Sequence, residues 1–172
     1  RNSNLLYTPD GELQGVYSKQ HLVPFGEYVP WRDQLSFLPE LRQVPYDFQA
    51  GDRTKLFRVK GHEVGSVICF ESAFGPLVRD FVDRGAEVVV VSTNNRSYRR
   101  SGNSAQHIAQ TQMRAAETGR PFLQASISGM SAVIDVALNC PESSKSSSTY
   151  HTPKMTANST ALRTISRKSL SR

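Results

Sequence analysis

Cys69 closes a run of small and β-branched apolar residues, Val64-Gly65-Ser66-Val67-Ile68, and is followed by Phe70, Glu71 and a stretch with helical spacing. A thiol at the carboxyl end of a buried strand, just ahead of a helix, sits where open α/β sheets gather their reacting groups. The start of a helix favours a thiolate, and the backbone N–H groups that follow could stabilise an oxyanion. The competing reading is a core thiol, because free cysteine is among the most often buried residue types.

A thiol nucleophile needs a base and an oxyanion partner. His21, His62 and His107 qualify by type, and nothing in their spacing selects one. His62 falls in a hairpin turn, where exposure is expected. His107 lies beside a helical face, as a structural residue would. Lys19 follows a strand and precedes the rigid segment QHLVPFGEY. A lysine at a strand end is ordinarily a solvated one. With Glu27 eight residues on, across a proline-shaped loop, the two could instead form a Lys–Glu pair in a cleft, the ammonium donating to a developing oxyanion.

The elements that must position these residues read in order as ββ, loop, ββ, α, β, α, ββ. Residues 4–19 form a hairpin around Pro9-Asp10-Gly11. Residues 21–31, with two prolines and a glycine, form a loop, and 32–43 hold a short helix interrupted near Pro39. Residues 54–69 form a second hairpin turning at Lys60-Gly61. Its second strand is nearly all apolar, as for a strand covered on both faces. A helix spans 72–85, with Gly85 as its C-cap. Residues 86–94 form a buried strand that opens into a polar loop. A second helix spans 104–120, with Ala105, Ile108, Ala109, Met113 and Ala116 as its apolar face and Gly119 closing it. Two short strands flank Ser128-Gly129 within 121–136. The class is α/β, layered, with mostly covered strands.

Composition sets outer bounds. The chain of 172 residues is long enough for one domain with a real core. It has no run of about 18 apolar residues, so no segment of it is expected to span a membrane. It opens on Arg1 with no signal peptide in view, which suggests a fragment or a processed piece. The formal net charge of +6 is unevenly placed. Residues 1–135 hold 15 Lys/Arg and 14 Asp/Glu, whereas residues 136–172 hold 6 Lys/Arg and a single acidic residue, Glu142. The folded part therefore offers no general basic face, and nucleic-acid binding is not expected of it. From residue 136 the texture turns rich in Ser, Thr and Lys without apolar period, which reads as a disordered or frame-shifted basic tail. Cys69 and Cys140 make neither a disulfide framework nor a zinc site, and no metal or cofactor is expected.

Four blocks carry a family resemblance: YSKQHLVPFGEYVP (17–30), GSVICFESAF (65–74), STNNRSY (92–98) and QHIAQTQMRAAETGRPFLQASISGMSAVID (106–135). Together, over residues 1–135, they resemble the nitrilase-like domain of bacterial apolipoprotein N-acyltransferases, within the carbon-nitrogen hydrolase superfamily, with an actinobacterial flavour. The resemblance implies a four-layer αββα sandwich, incomplete in this chain, and a Glu-Lys-Cys triad. Cys69 matches the nucleophile, which takes an acyl chain from phospholipid as a thioester. Lys19 matches the lysine that stabilises the tetrahedral intermediate. Glu27 matches a second essential glutamate, Phe70 stands where many members have tyrosine, and Glu71 matches the glutamate that follows it. The acyl group then passes to the amine of a diacylglyceryl-cysteine at a lipoprotein N-terminus, on the outer face of the cell membrane, to which segments absent here attach the domain.

Three departures accompany this resemblance. The family's general-base glutamate lies upstream of residue 4, so no residue here takes that role. The family's membrane helices are not in this sequence. The match ends near Asp135, where further sandwich strands would follow. RSYRRSG also replaces a loop that is more often aromatic and glycine-rich. The expectation is a truncated acyltransferase, inactive as an isolated chain. The alternatives are a soluble nitrilase-like amidase and a non-catalytic remnant whose basic tail binds anionic membrane.

Overall fold

The computed structural model describes residues 1–96 and 102–136. The expected tail falls outside them, apart from Val136. β1 (Ser3–Tyr7) and β2 (Leu13–Ser18) form an antiparallel hairpin with Leu5 opposite Val16. β3 (Phe57–Val59) and β4 (His62–Ile68) form the second hairpin. Its two-residue turn puts both Lys60 and Gly61 at positive φ, 52° and 90°. Turns of that hand match the twist of the flanking strands.

Two helical crossovers then extend the sheet. α1 (Gly75–Asp83) joins β4 to β5 (Val88–Thr93), and α2 (Asn103–Thr118) joins β5 to β6 (Phe122–Ser126). β4, β5 and β6 are parallel, as strands linked through helices must be. β3 and β7 (Ala132–Ile134) pair antiparallel at the two edges, giving the order β3-β4-β5-β6-β7.

The register places Gly65, Val89, Phe122 and Ile134 in one cross-strand row. A Cβ on Gly65 would lie 3.3 Å from Phe81 of α1, so this face meets the helices. Val67, Val89, Val91, Val78 and Phe81 are fully buried there, each side chain contributing about 1.5–3 kcal/mol by leaving water. The opposite face meets the β1–β2 hairpin at one side: Asn4 donates to Ser66 Oγ at 2.6 Å, and Phe57 fills the space a side chain on Gly15 would need. Toward β6 and β7 that face is open, with Val133 72% exposed. Helices, five-stranded sheet and hairpin make three successive layers, as expected for part of a four-layer αββα sandwich.

Several expectations change. The short helix in 32–43 is a 3-10 turn at Pro39–Gln43, and Pro39 starts it rather than interrupting it. Proline lacks an N–H, which a first helical position does not need. The helix expected from 72 begins at Gly75, because Cys69–Ala73 form a separate 3-10 turn. The face of α2 is turned: Ala105, Ala109, Met113 and Ala116 are exposed, and His107, Ile108, Thr111 and Ala115 point inward. The inward polar groups are satisfied in place, Thr111 Oγ1 donating to buried Gln124 Oε1 at 2.7 Å. β4 and β5 are covered as expected, but β6 and β7 alternate between buried and exposed positions.

Candidate active site

Lys19 continues from β2 and is held through its own backbone. Its amide donates to the Asn2 carbonyl at 2.8 Å, and its carbonyl accepts from Gly51 N at 2.7 Å. Gly51 must lack a side chain, since a Cβ there would overlap the Ser18 carbonyl oxygen. The Lys19 side chain is 1% exposed, and Nζ lies 2.6 Å from Glu27 Oε2. Glu27 is fixed in turn: Oε2 accepts Val23 N at 2.9 Å, and Oε1 accepts Asn2 Nδ2 at 3.0 Å. The Lys–Glu pair read from the spacing is thus formed, and the solvated-lysine reading is excluded. A buried ammonium is tolerable only with such a partner.

Cys69 stands at the carboxyl end of β4 with φ +52°, a left-handed conformation that L-residues other than glycine avoid. Such strain persists only where surrounding contacts over-determine it. The first contact is Glu71, fully buried in the following 3-10 turn, whose Oε2 accepts the Ile68 amide at 2.8 Å. The same carboxylate accepts Gln20 N at 2.7 Å, His21 N at 3.1 Å and the Tyr17 hydroxyl at 3.0 Å. One side chain therefore fastens the residue before Cys69 to the residues flanking Lys19. Burial raises the Glu71 carboxyl above its usual range, while the amides of Ile68, His21 and Gln20 and the Tyr17 hydroxyl pull it back. Burial, and then the Glu71 charge, push Tyr17 upward as well, so it stays a neutral donor.

Aromatic rings wall the turn. Phe74 stacks on His21 with centroids 4.3 Å apart, and Phe70, half-exposed, meets Phe74 edge-on at 5.2 Å. The three histidines separate clearly. His62 is exposed and bonds Glu87 at 2.9 Å. His21 is stacked. His107 is buried against the Cys69 carbonyl oxygen at 3.1 Å, not against the sulfur. Among the described residues no histidine nitrogen bonds the thiol, and no group of three or more His, Cys, Asp or Glu is placed to hold a metal ion.

Two contributors were not visible beforehand. Tyr17 was quoted only as part of a motif, and its tie to Glu71 spans 54 residues of sequence. Asn95 is 2% exposed, with Oδ1 accepting from Thr93 Oγ1 at 2.9 Å and Nδ2 without a partner. A signal for it was present, since its strand ends beside that of Cys69.

A sequence profile described as carbon-nitrogen hydrolase matches residues 1–147. The chain belongs to the carbon-nitrogen hydrolase family. Among curated proteins, this carbon-nitrogen hydrolase chain is 37% identical over 134 residues to the apolipoprotein N-acyltransferase of Geobacter metallireducens, covering 78% of this chain and 26% of that protein. It is 39% identical over 127 residues to that of Methylococcus capsulatus, covering 73% and 25%. The chain spans about a quarter of the length of the curated relatives it matches. Among solved structures, it superposes on a carbon-nitrogen hydrolase from Helicobacter pylori with a TM-score of 0.54 at 19% identity, covering 73% of this chain and 40% of that one. An amidase from Nesterenkonia sp. AN1 gives 0.53 at 21% identity, covering 77% and 48%. These likenesses establish the carbon-nitrogen hydrolase fold, of which the described residues hold a part.

Proposed function

We propose that this chain is the part of an apolipoprotein N-acyltransferase that carries its nucleophile, Cys69, and its oxyanion donor, Lys19. One observation carries the reading. The Lys19–Glu27 pair and the strained Cys69 turn are fastened to one buried carboxylate, Glu71, in a chain similar to curated N-acyltransferases.

The Cys69 thiolate attacks the acyl-ester carbonyl of a phospholipid, forming a C–S bond and an oxyanion. An ammonium has three N–H donors, so Lys19 keeps the capacity to stabilise that oxyanion while one donor serves Glu27. Collapse breaks the C–O bond, and the lysophospholipid leaves with the proton that the thiol had released to the family's general base, a role no residue here takes. The amine of a diacylglyceryl-cysteine then attacks the thioester; the C–N bond forms as the C–S bond breaks, the amine gives its proton to that base, and the thiolate returns. Two lower barriers replace one. Phe70 and Phe74 supply apolar wall beside the thiol. Glu27 and Glu71 act by holding Lys19 and the turn. The acceptor lipoprotein, the phospholipid donor and a place at the outer face of the cell membrane belong to the same proposal. Residues 1–135 constitute the partial catalytic domain in this reading.

The test places residues 1–135 in the Geobacter metallireducens protein in exchange for its matching stretch. Transfer of a labelled acyl chain from phospholipid to a diacylglyceryl peptide is expected, and Cys69→Ala or Lys19→Met should abolish it. Transfer that survives Cys69→Ala overturns the reading. So does release of ammonia from small amides by the unaltered chain with no acyl transfer from lipid. By itself the chain is proposed to accumulate no acyl-thioester, since none of its residues matches the family's general base. A lipid-derived, hydroxylamine-labile adduct on Cys69 would contradict that.

A further inference from the structure

His107 lies on the inward side of α2, 4% exposed. Its Nε2 is 3.1 Å from the Cys69 carbonyl oxygen and 3.1 Å from Ser72 Oγ. The Ser72 hydroxyl donates to the same carbonyl at 3.2 Å. A carbonyl oxygen only accepts, so the contact with Cys69 requires a proton on Nε2. Nδ1 is buried with no hydrogen-bond partner. Left bare, it forgoes one acceptor contact. Protonated, it would bury an unmatched donor and, in the cation, an unpaired charge. The surroundings therefore select the neutral, Nε2-protonated tautomer. Burial also lowers the pKa of His107 from its ordinary value, against the pull of the Cys69 carbonyl.

The peptide plane whose oxygen His107 holds is the one that ends in the Phe70 N–H. Because that plane is rigid, holding the oxygen sets its tilt and with it the rotation about the Cα–C bond of Cys69, the ψ angle. That rotation, together with the φ of +52° on the amide side, directs the bond carrying the thiol. A donor on a peptide oxygen also strengthens the N–H of the same peptide as a donor. Thr111, one turn further along α2, locks the helix to β6 through Gln124, so the imidazole is presented from a fixed support.

We propose that His107, as the neutral Nε2-protonated imidazole, is a positioning residue for Cys69: it clamps the Cys69 carbonyl from α2 and touches no reacting atom. The proposal rests on the reading of Cys69 as the nucleophile, but it is tested by thiol reactivity rather than by acyl transfer. In a Cys140→Ser background, the rate of Cys69 alkylation by iodoacetamide is measured for the unaltered residue, His107→Gln and His107→Phe. The amide of Gln can return an N–H to the carbonyl, and Phe cannot. His107→Phe should slow alkylation on the order of tenfold, the scale expected of a small misplacement, and His107→Gln should restore most of the rate.

A Phe variant as fast as the parent, or a Gln variant as slow as Phe, overturns the proposal. Should His107→Phe fail to fold, the ring nitrogens of the parent decide. A long-range 1H–15N spectrum at pH 7 should show a bare Nδ1 and a protonated Nε2. A proton on Nδ1 refutes the clamp. Alkylation that depends on His107, with no acyl transfer once residues 1–135 stand in the Geobacter metallireducens protein, would leave this proposal standing and remove the acyl-transfer reading.

Discussion

Glu71 lies 51 residues from Gln20 in sequence, yet its Oε1 accepts the Gln20 amide at 2.7 Å while its Oε2 accepts the Ile68 amide at 2.8 Å. The carboxylate is surrounded only by donors. Glu71→Gln keeps the shape but turns an N–H₂ toward one of those amides. A loss of about 2–3 kcal/mol is expected, the scale of a buried donor left unmatched. Urea unfolding followed by circular dichroism measures it, and a loss below about 0.5 kcal/mol, the scale of a surface substitution, would show that the tie is dispensable.

The same group gives stability a slope with pH. Its carboxyl is raised in the folded chain, chiefly by burial. In the unfolded chain the proton leaves near the ordinary value of 4.5. Between that value and the raised one, the folded chain binds more protons than the unfolded chain. Stability from this group is therefore full below about pH 4.5 and declines as pH rises through the interval. Unfolding midpoints of the parent and Glu71→Gln, compared at successive pH values, should converge as pH rises through the interval. A difference that widens there would reverse the assigned direction.

Cys69 offers a test of backbone strain. At φ +52° a glycine suffers no Cβ penalty, whereas alanine does. Cys69→Gly should be more stable than Cys69→Ala by about 1 kcal/mol. Equal thermal midpoints would mean that the turn relaxes once the sulfur is removed.

The Lys19–Glu27 pair predicts an asymmetry. Glu27→Ala leaves a 1% exposed ammonium without its partner and should cost about 3–5 kcal/mol. The double variant Lys19→Met/Glu27→Gln removes both charges and should recover much of that loss. Chemical denaturation of the parent and the two variants compares these losses. A double variant as unstable as Glu27→Ala would show that hydrogen bonds to Glu27, rather than the buried charge, dominate.

Local chemistry made much of the architecture legible. Pro9-Asp10-Gly11 and Lys60-Gly61 announced both hairpins, and the unbroken apolar runs before Cys69 and through Val88–Val91 announced the central strands. The Lys19–Glu27 pair was legible because a short proline-bearing loop brings residues eight apart together. The inward face of α2 was not. Hydrophobic spacing selected Met113 and the alanines, but His107 and Thr111 occupy the core side because Cys69 and Gln124 supply their hydrogen bonds. Periodicity rules count apolar residues and have no knowledge of partners across the fold. Glu71 was found only through resemblance. Its donors come from two segments, residues 17–21 and Ile68, about 50 residues apart, a relation no local window contains.

On the proposed reading of Cys69 as the nucleophile, that arrangement of donors also sets when, during folding, the thiol is presented for reaction. Joining Gln20 to Glu71 closes a loop of 51 residues, an entropic cost that precedes any reward from the bonds. β2 and the turn after β4 are local structures able to form early, but the clamp between them is long-range and belongs to the slow part of assembly. A nascent or partly unfolded chain holds neither the turn at Cys69 nor its tie to Gln20, and on that reading reactivity arrives only with the completed fold.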